Sequence, residues 1–259
     1  MASNISTRKT TIVLSVILIL LAFLLVTVFF YSPAGRKFYL THRKYEVYGG
    51  MTDELKDCEL YEDMESGKSF CFLGDSITCG AAINDITWYQ PLIPYIKGDI
   101  SNFSYSGWTV RDLIYNKNSI PQAEVYVVAI GINDILFAFK GYSSPTPEVF
   151  TERCEQLCGI LYGISPDSKI YFISPWPYVD LDKWYDDRGA EFRKEFNRWG
   201  ENANCICIDP EPYIASVLNE ESHSKYMQNA FHPNAPEGVG LFSYAVLKAD
   251  HDQRKSGLT

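Results

Sequence analysis

A serine and a histidine in this sequence have the types and positions needed for nucleophilic chemistry at an acyl group. Ser76 follows the mostly apolar run 70–73 and the dipeptide Gly74-Asp75, where a buried strand is predicted to turn into a helix. In a parallel sheet this position faces the ligand-binding crevice, and a helix start leaves the serine N–H free to stabilise an oxyanion. His232, in a late loop, is a candidate base. The pair therefore predicts acyl transfer through a serine.

Two further groups follow the next two predicted strands. Gly107 comes after the strand predicted at 100–105, and Asn133 after the strand predicted at 124–130. Each residue alone is typical of a turn or a helix cap. The carboxyl ends of parallel strands share one edge of a sheet, so a backbone N–H and a side-chain amide are expected to approach Ser76 there. Together they supply oxyanion donors.

The elements that must hold these groups alternate along the chain. Helices are predicted between the strands and after the last of them. Ser144 or Thr146 is the candidate N-terminal cap of the helix predicted at 145–164. Alternation of this kind predicts a three-layer α/β/α sandwich with a parallel sheet of about five strands. The predicted strands are 70–73, 100–105, 124–130, 169–173 and 204–208, and the clearest helices are 145–164, 191–200 and 236–248.

The first part of the sequence predicts a membrane anchor. Residues 11–31 contain no charged side chain and are mostly Ile, Leu, Val and Phe, which is long enough to cross a hydrocarbon core of about 30 Å as one transmembrane helix. The alternative is a cleaved signal peptide, whose apolar core is shorter. We therefore divide the chain into a tail at 1–10, the helix at 11–31, a membrane-proximal linker at 32–68, a domain at 69–250 and a tail at 251–259.

Charge separates the two ends of the chain. Of 23 basic residues, six lie in 1–44, a stretch without acidic residues, which leaves 17 basic against 32 acidic residues and a net charge of −15 for the remainder. An acidic body argues against a nucleic-acid partner, and the basic flanks of the helix suit anionic lipid headgroups. The seven cysteines and four histidines have neither zinc-ligand spacing nor an evident disulfide framework, so we expect no metal and no cofactor.

Four sequence blocks resemble the SGNH hydrolases, the GDSL-type esterase and lipase superfamily. Phe-Leu-Gly-Asp-Ser-Ile-Thr at 72–78 matches the first block, Gly107 the second, Gly-Ile-Asn-Asp at 131–134 the third and His-Pro-Asn at 232–234 the last. The resemblance covers about 69–248 and implies a flavodoxin-like sheet. It also implies that Ser76 is the nucleophile, that His232 is the general base, and that the oxyanion hole comprises the N–H groups of Ser76 and Gly107 and the amide of Asn133.

One position departs from that pattern. The family's last block usually has an aspartate three residues before the histidine, and this sequence has Asn229. An amide stabilises an imidazolium less well than a carboxylate does. Three interpretations stand: Ser76 and His232 act as a dyad whose ring is held by Asn229 or a backbone carbonyl, another acid such as Asp209 supplies the carboxylate, or activity is much reduced.

The sequence predicts a serine-dependent ester hydrolase with an acyl-enzyme intermediate. We expect a small ester or an O-acylated cell-envelope glycan as substrate, with Trp176 and Tyr178 as candidate substrate-binding residues in an aromatic loop that also contains Trp184 and Tyr185. The alternatives are an O-acyltransferase using the same residues and a catalytically weak envelope-binding or scaffold domain. We expect a single-pass protein of the cell membrane with its body outside the cytoplasm, and the oligomeric state stays open.

Overall fold

The structure is a computed structural model that describes residues 15–28, 32, 43–137, 144–177, 183–219 and 222–257. The chain divides into two compact units, Met1–Arg43 and Lys44–Thr259. Residues 15–28 form helix α1, whereas residues 11–14 and 29–31 of the predicted anchor lie outside the described residues. Within the described ranges, no helix has both the length and the apolar character needed to cross a membrane. The anchor therefore stays a prediction.

Five parallel strands form one sheet. The strands are β1 Phe70–Gly74, β2 Ile100–Ser104, β3 Val125–Ala129, β4 Lys169–Ile173 and β5 Ile206–Ile208. Their order in the sheet is β2-β1-β3-β4-β5. The order reverses between β1 and β3, which places a topological switch point at the carboxyl ends of these two strands. Each strand overlaps its predicted range, and the predicted parallel α/β architecture is confirmed.

The sheet is buried on both faces, which explains why its central strands are continuous apolar runs. Every residue of β1 and β3 is buried. Alternate residues point to opposite faces, so Phe72 packs in one core cluster and Leu73 in the other. The two clusters give the molecule the three layers that the sequence predicts.

Helices of several lengths cover the two faces. The helices are α2 Asp53–Lys56, α3 Glu59–Glu65, α4 Ser76–Cys79, α5 Val110–Tyr115, α6 Ile132–Leu136, α7 Pro147–Ile164, α8 Lys183–Gly200, α9 Glu211–Val217, α10 His223–Tyr226 and α11 Glu237–Ser256, with 3-10 turns at Gln90–Tyr95 and Lys117–Ser119. The sheet's first face packs against α2, α3 and the long C-terminal helix α11, and its second face packs against the helices after β2, β3 and β4.

The folded unit is longer at both ends than the predicted domain. Residues 44–65 belong to it instead of forming a linker, because Leu55, Leu60 and Met64 are buried in the first core cluster. At the other end α11 runs to Ser256, so most of the predicted tail is helical. The two ends meet where the backbone N–H of Leu60 donates to Asp250 Oδ2 at 2.8 Å. These contacts join residues far apart in the chain, and local sequence patterns do not reveal them.

Two helix starts also differ from the prediction. Helix α7 begins at Pro147, and Thr146 caps it by accepting a hydrogen bond from the N–H of Val149, so Thr146 is the cap and Ser144 is not. Helix α8 begins at Lys183, earlier than the predicted start at 191. The segment 183–190 is rich in charged residues and lacks the apolar periodicity on which helix prediction depends.

Candidate active site

The carboxyl ends of three adjacent strands lie at the same level in the sheet. Gly74 of β1 pairs in register with Ser104 of β2 and with Ala129 of β3. Ser76 follows the first strand end, Gly107 the second and Asn133 the third, so the topology brings these three residues to one edge. The sequence predicted this convergence from the order of strands alone.

Ser76 is held at the start of α4 by its neighbours. A side chain at Gly74 would collide with Thr78 and with the carbonyl oxygen of Ala129, so glycine permits the close turn from β1 into α4. Asp75 is the N-cap, and its Oδ1 accepts from the N–H of Ile77 at 3.0 Å. Within the described part of the chain the N–H of Ser76 donates to no acceptor, and this leaves it available to an oxyanion.

His232 reaches Ser76 from a distant loop. Its Nε2 lies 2.8 Å from Ser76 Oγ. The loop is anchored by Asn234, whose Oδ1 accepts from the N–H of Gly238 at 3.0 Å and whose Nδ2 donates to the carbonyl of Lys225 at 2.5 Å. Burial lowers the pKa of the His232 imidazole. The ring is therefore suited to stay neutral and accept a proton at neutral pH.

Asn229 contacts the other nitrogen of the same ring. Its Oδ1 lies 3.2 Å and its Nδ2 3.1 Å from His232 Nδ1. Oδ1 also accepts from the backbone N–H groups of His232 at 2.9 Å and Phe231 at 3.2 Å. These two bonds identify Oδ1 as the acceptor end of the amide, so the side chain fixes the loop and the ring together.

Asp209 is occupied elsewhere in the structure, contrary to the interpretation in which it supplies the missing carboxylate. Its Oδ1 accepts from Ser174 Oγ at 2.7 Å, and its Oδ2 accepts from Asn197 Nδ2 at 2.9 Å. Among the described residues, Asn229 is the side chain that contacts His232 Nδ1. Asp209 links the end of β5 to the end of β4 and to α8. The interpretation in which it supplies the carboxylate for His232 is therefore wrong.

The loop that contains Gly107 is tied to the start of α6. Asn133 Nδ2 donates to the carbonyl of Trp108 at 2.9 Å, and the N–H of Val110 donates to Asp134 Oδ2 at 3.1 Å. Gly107 has φ of +81°, a backbone conformation that glycine adopts without strain. The amide of Asn133 uses one of its two N–H groups in this contact and keeps the second for an oxyanion.

Two buried carboxyl groups flank the site. Burial raises the pKa of Asp75 to about 7 and that of Asp134 to about 7. One oxygen of each has no hydrogen-bond partner among the described residues, and Arg153 approaches the free oxygen of Asp134 only to 4.0 Å. Cys79 lies behind the serine, with its Sγ 3.6 Å from the carbonyl of Ser76. Burial raises the pKa of this thiol, which disfavours the thiolate form of a nucleophile.

One of the two predicted substrate-binding aromatics, Trp176, is buried in the core instead of lining the site. The side chain of Trp176 is only 1% exposed and packs against Trp88 and Phe242 in the core, so it does not line a substrate pocket as the sequence predicts. Tyr178 lies outside the described residues, and so do the side chains of Trp184 and Tyr185. All four aromatic residues belong to the same predicted loop, and no pattern in the sequence indicates that the side chain of Trp176 is buried.

A different pair of aromatics flanks the oxyanion glycine. Tyr105 is 54% exposed, and its ring centroid lies 4.4 Å from that of Trp108. The signal in the sequence is the run Tyr-Ser-Gly-Trp at 105–108, where aromatics bracket the glycine directly after a predicted strand. This run could have identified the pair from the sequence.

Among the described residues, one group has the spacing of a metal site. Glu54, His251 and Asp252 lie together, but the ammonium of Lys248 already occupies the space between the two carboxylates, at 2.9 Å from Glu54 and 2.5 Å from Asp252. The group is therefore an ion-pair network. The seven cysteines are free thiols.

Comparisons with known proteins agree on the family and the fold. The model of the GDSL-like Lipase/Acylhydrolase family matches residues 72–236, which is more than half of the chain. A search of proteins with curated functions finds no match.

Similar solved structures include three bacterial or environmental proteins. A protein from Parabacteroides merdae assigned as a GDSL-like lipase has a TM-score of 0.61 at 19% identity and covers 76% of this chain and 98% of its own. An acetylxylan esterase from Geobacillus stearothermophilus has a TM-score of 0.59 at 18% identity, with coverage of 72% and 95%. An α/β hydrolase from the metagenome of Lake Arreo, Spain, has a TM-score of 0.59 at 19% identity, with coverage of 74% and 98%.

Proposed function

The chain belongs to the GDSL-like lipase/acylhydrolase family and is an ester hydrolase, and we propose that Ser76 is its nucleophile and His232 its general base. The observation that supports this most directly is the distance of 2.8 Å between Ser76 Oγ and His232 Nε2. A serine becomes a nucleophile when a neutral imidazole accepts its proton, and burial keeps this imidazole neutral.

The reaction proceeds through two acyl transfers. Ser76 Oγ attacks the ester carbonyl while its proton moves to His232 Nε2, and the negative charge develops on the carbonyl oxygen. The N–H groups of Ser76 and Gly107 and the amide of Asn133 donate to that oxygen. His232 then protonates the departing alcohol, which leaves an ester of Ser76. A water molecule, deprotonated by His232, attacks this ester, releases the acid and restores the serine.

Asn229 orients the base in this mechanism. The imidazole must carry its proton on Nδ1 so that Nε2 can accept one from Ser76. Oδ1 of Asn229, at 3.2 Å, accepts from the protonated Nδ1 and thereby favours this tautomer. The amide carries no charge, so it stabilises the imidazolium less than a carboxylate would. We propose a serine-histidine dyad positioned by an asparagine.

The substrate class that we propose is an O-acylated glycan. The similar acetylxylan esterase is described as acting on acetylated xylan, and structures of its catalytic mutants replace a serine and a histidine with alanine. This supports an acetyl-ester substrate and a serine-histidine pair for the present chain. The uncharged run at 11–31 supports attachment of this esterase to a cell membrane. We propose that its body lies outside the cytoplasm, on the side of an O-acylated envelope glycan, and protease accessibility in intact cells would test this placement.

The test compares variants of the purified full chain. We expect p-nitrophenyl acetate turnover and fluorophosphonate labelling in the parent, a loss of at least about 10³-fold in kcat for Ser76→Ala and for His232→Ala, and no change for Ser224→Ala, a serine exposed on α10. Circular dichroism establishes that each variant folds. Turnover that persists in Ser76→Ala, or a parent that neither turns over any ester nor reacts with the fluorophosphonate, contradicts the assignment of Ser76.

A further inference from the structure

A pocket of about 610 Å³ opens beside the glycine of the oxyanion hole. Gly107 and Trp108 form one part of its lining, and Arg111, Asp134 and Arg153 form another. Pockets of about 300–1,000 Å³ hold small ligands or parts of larger ones. Because Gly107 belongs to both the pocket lining and the proposed oxyanion hole, the pocket adjoins the place proposed for the substrate carbonyl.

Trp108 lines one side of the pocket, and Tyr105 and Phe103 pack against it from outside the lining. Trp108 packs edge-on against Phe103, with ring centroids 5.4 Å apart, and Tyr105 stacks on Trp108 at 4.4 Å with the rings tilted by 35°. Tyr105 is 54% exposed, so the outer part of this stack is open to solvent. A rigid, exposed aromatic surface of this kind binds flat apolar faces such as the C–H face of a pyranose ring.

The other side of the pocket carries side chains that donate and accept hydrogen bonds. Arg111 has no carboxylate within ion-pairing distance in the part of the chain that the structure describes. Asp134 is fully buried, lines the pocket, and keeps one oxygen without a hydrogen-bond partner among the described residues. The Asp112 carboxylate is not equivalent, since its Oδ2 is already engaged by the backbone N–H and the hydroxyl of Thr109.

We propose that this pocket binds a sugar ring of the glycan ester, with Trp108, held in place by Tyr105, stacking on the ring and Arg111 and Arg153 donating to its hydroxyl groups. The inference rests on the proposed glycan esterase function and specifies where that glycan binds. A long acyl chain fits the space poorly because two guanidinium groups and two carboxyl groups line it. A sugar has both kinds of surface, apolar C–H groups and hydroxyls that donate and accept.

The first test is a specificity ratio. For the full chain and its variants, kcat/KM is measured with acetylated xylo-oligosaccharides and with p-nitrophenyl acetate, which has no sugar. We expect Tyr105→Ala and Arg111→Ala to lower the ratio of glycan to p-nitrophenyl turnover at least tenfold, mainly through KM of the glycan. Tyr115→Ala keeps the ratio, because this tyrosine on α5 is 86% exposed and, among the described residues, stacks on no aromatic ring of the pocket lining.

The second test measures binding without catalysis. Acetylated xylo-oligosaccharides are titrated into Ser76→Ala and into Ser76→Ala with Tyr105→Ala, and we expect Kd to rise at least fivefold in the double variant. Unchanged Kd and an unchanged specificity ratio would overturn the sugar pocket. If the parent shows no Ser76-dependent turnover, the proposed function is wrong. The pocket proposal is judged separately, because a Kd that rises when Tyr105 is replaced supports it even without turnover.

Discussion

Asn229 presents both polar atoms of its side chain to His232 Nδ1, with Oδ1 at 3.2 Å and Nδ2 at 3.1 Å. The two contacts favour opposite tautomers of the imidazole. If Oδ1 accepts from Nδ1, then Nε2 is free to take the proton of Ser76. If Nδ2 donates to Nδ1, the ring proton lies on Nε2 and the base is blocked. The amide therefore selects the productive tautomer less strongly than a carboxylate does.

Replacement of this amide by a carboxylate should raise activity. Asn229→Asp removes the competing donor and adds a negative charge beside the ring, so the protonated imidazole of the transition state is stabilised. We expect kcat to increase about tenfold or more, within the factor of about 10⁴ measured for the reverse exchange in a serine protease. Asn229→Ala should lower kcat, since it removes the acceptor of the His232 and Phe231 N–H groups. An Asn229→Asp rate equal to that of the parent contradicts this role.

The pH dependence of kcat/KM reports the state of His232. Burial lowers the pKa of this imidazole, and only its neutral form accepts a proton from Ser76. We therefore expect activity to rise with pH through an apparent pKa below the usual value of about 6.5 and to be flat at neutral pH. In Asn229→Asp the added carboxylate favours the charged ring, so the rise should shift to higher pH. A rise centred above pH 7 in the parent disagrees with a buried, neutral base.

Gly107 and Gly67 form a matched pair for testing the oxyanion loop. Both have φ of +81°, and a Cβ at either position meets no atom within 4 Å. Alanine therefore introduces the same backbone strain at each, about 1–2 kcal/mol. We expect Gly107→Ala and Gly67→Ala to lose similar stability in urea unfolding, while only Gly107→Ala loses about 10²-fold in kcat because its N–H moves. Equal kcat values in the two variants would exclude Gly107 as a donor.

Asp134 should make the fold less stable at higher pH. Burial raises its pKa in the folded state to about 7, above the ordinary value of about 3.9. The protonated Asp134 contributes its full share to the free energy of unfolding below pH 4, and this contribution is lost as pH rises through 7. Asp75, with a pKa also raised to about 7, acts in the same direction. We expect urea unfolding of Asp134→Asn to show a weaker loss between pH 5 and pH 8 than the parent, whereas the exposed Asp167→Asn keeps the parent slope.

The boundary of the folded unit predicts the outcome of truncation. Leu55, Leu60 and Met64 are buried against the core, and each contributes about 1.5–3 kcal/mol. Together they account for much of the stability of about 5–15 kcal/mol that a domain has. A chain without residues 1–43 should unfold at the same temperature as the same unit in the full chain, whereas a chain without 1–68 should not fold. Cooperative unfolding of the shorter chain would restore the boundary at 69.

The sequence by itself determined the order of strands and helices and the position of Ser76, Gly107 and Asn133 at successive strand ends. Buried parallel strands are continuous apolar runs, and their shared direction brings whatever follows them to one edge, so local patterns suffice. The resemblance to the last SGNH block also identified His232 as the candidate base and showed that Asn229 stands where a carboxylate is usual.

Only the tertiary structure decided which side chains meet. Asp209 pairs with Ser174 and Asn197, Trp176 turns into the core, and Tyr105 stacks on Trp108 beside the oxyanion glycine. Residues 44–65 join the fold through contacts with the last helix. Each outcome depends on side-chain direction or on packing between residues far apart in the chain, and neither is encoded in a local pattern of apolar and polar residues.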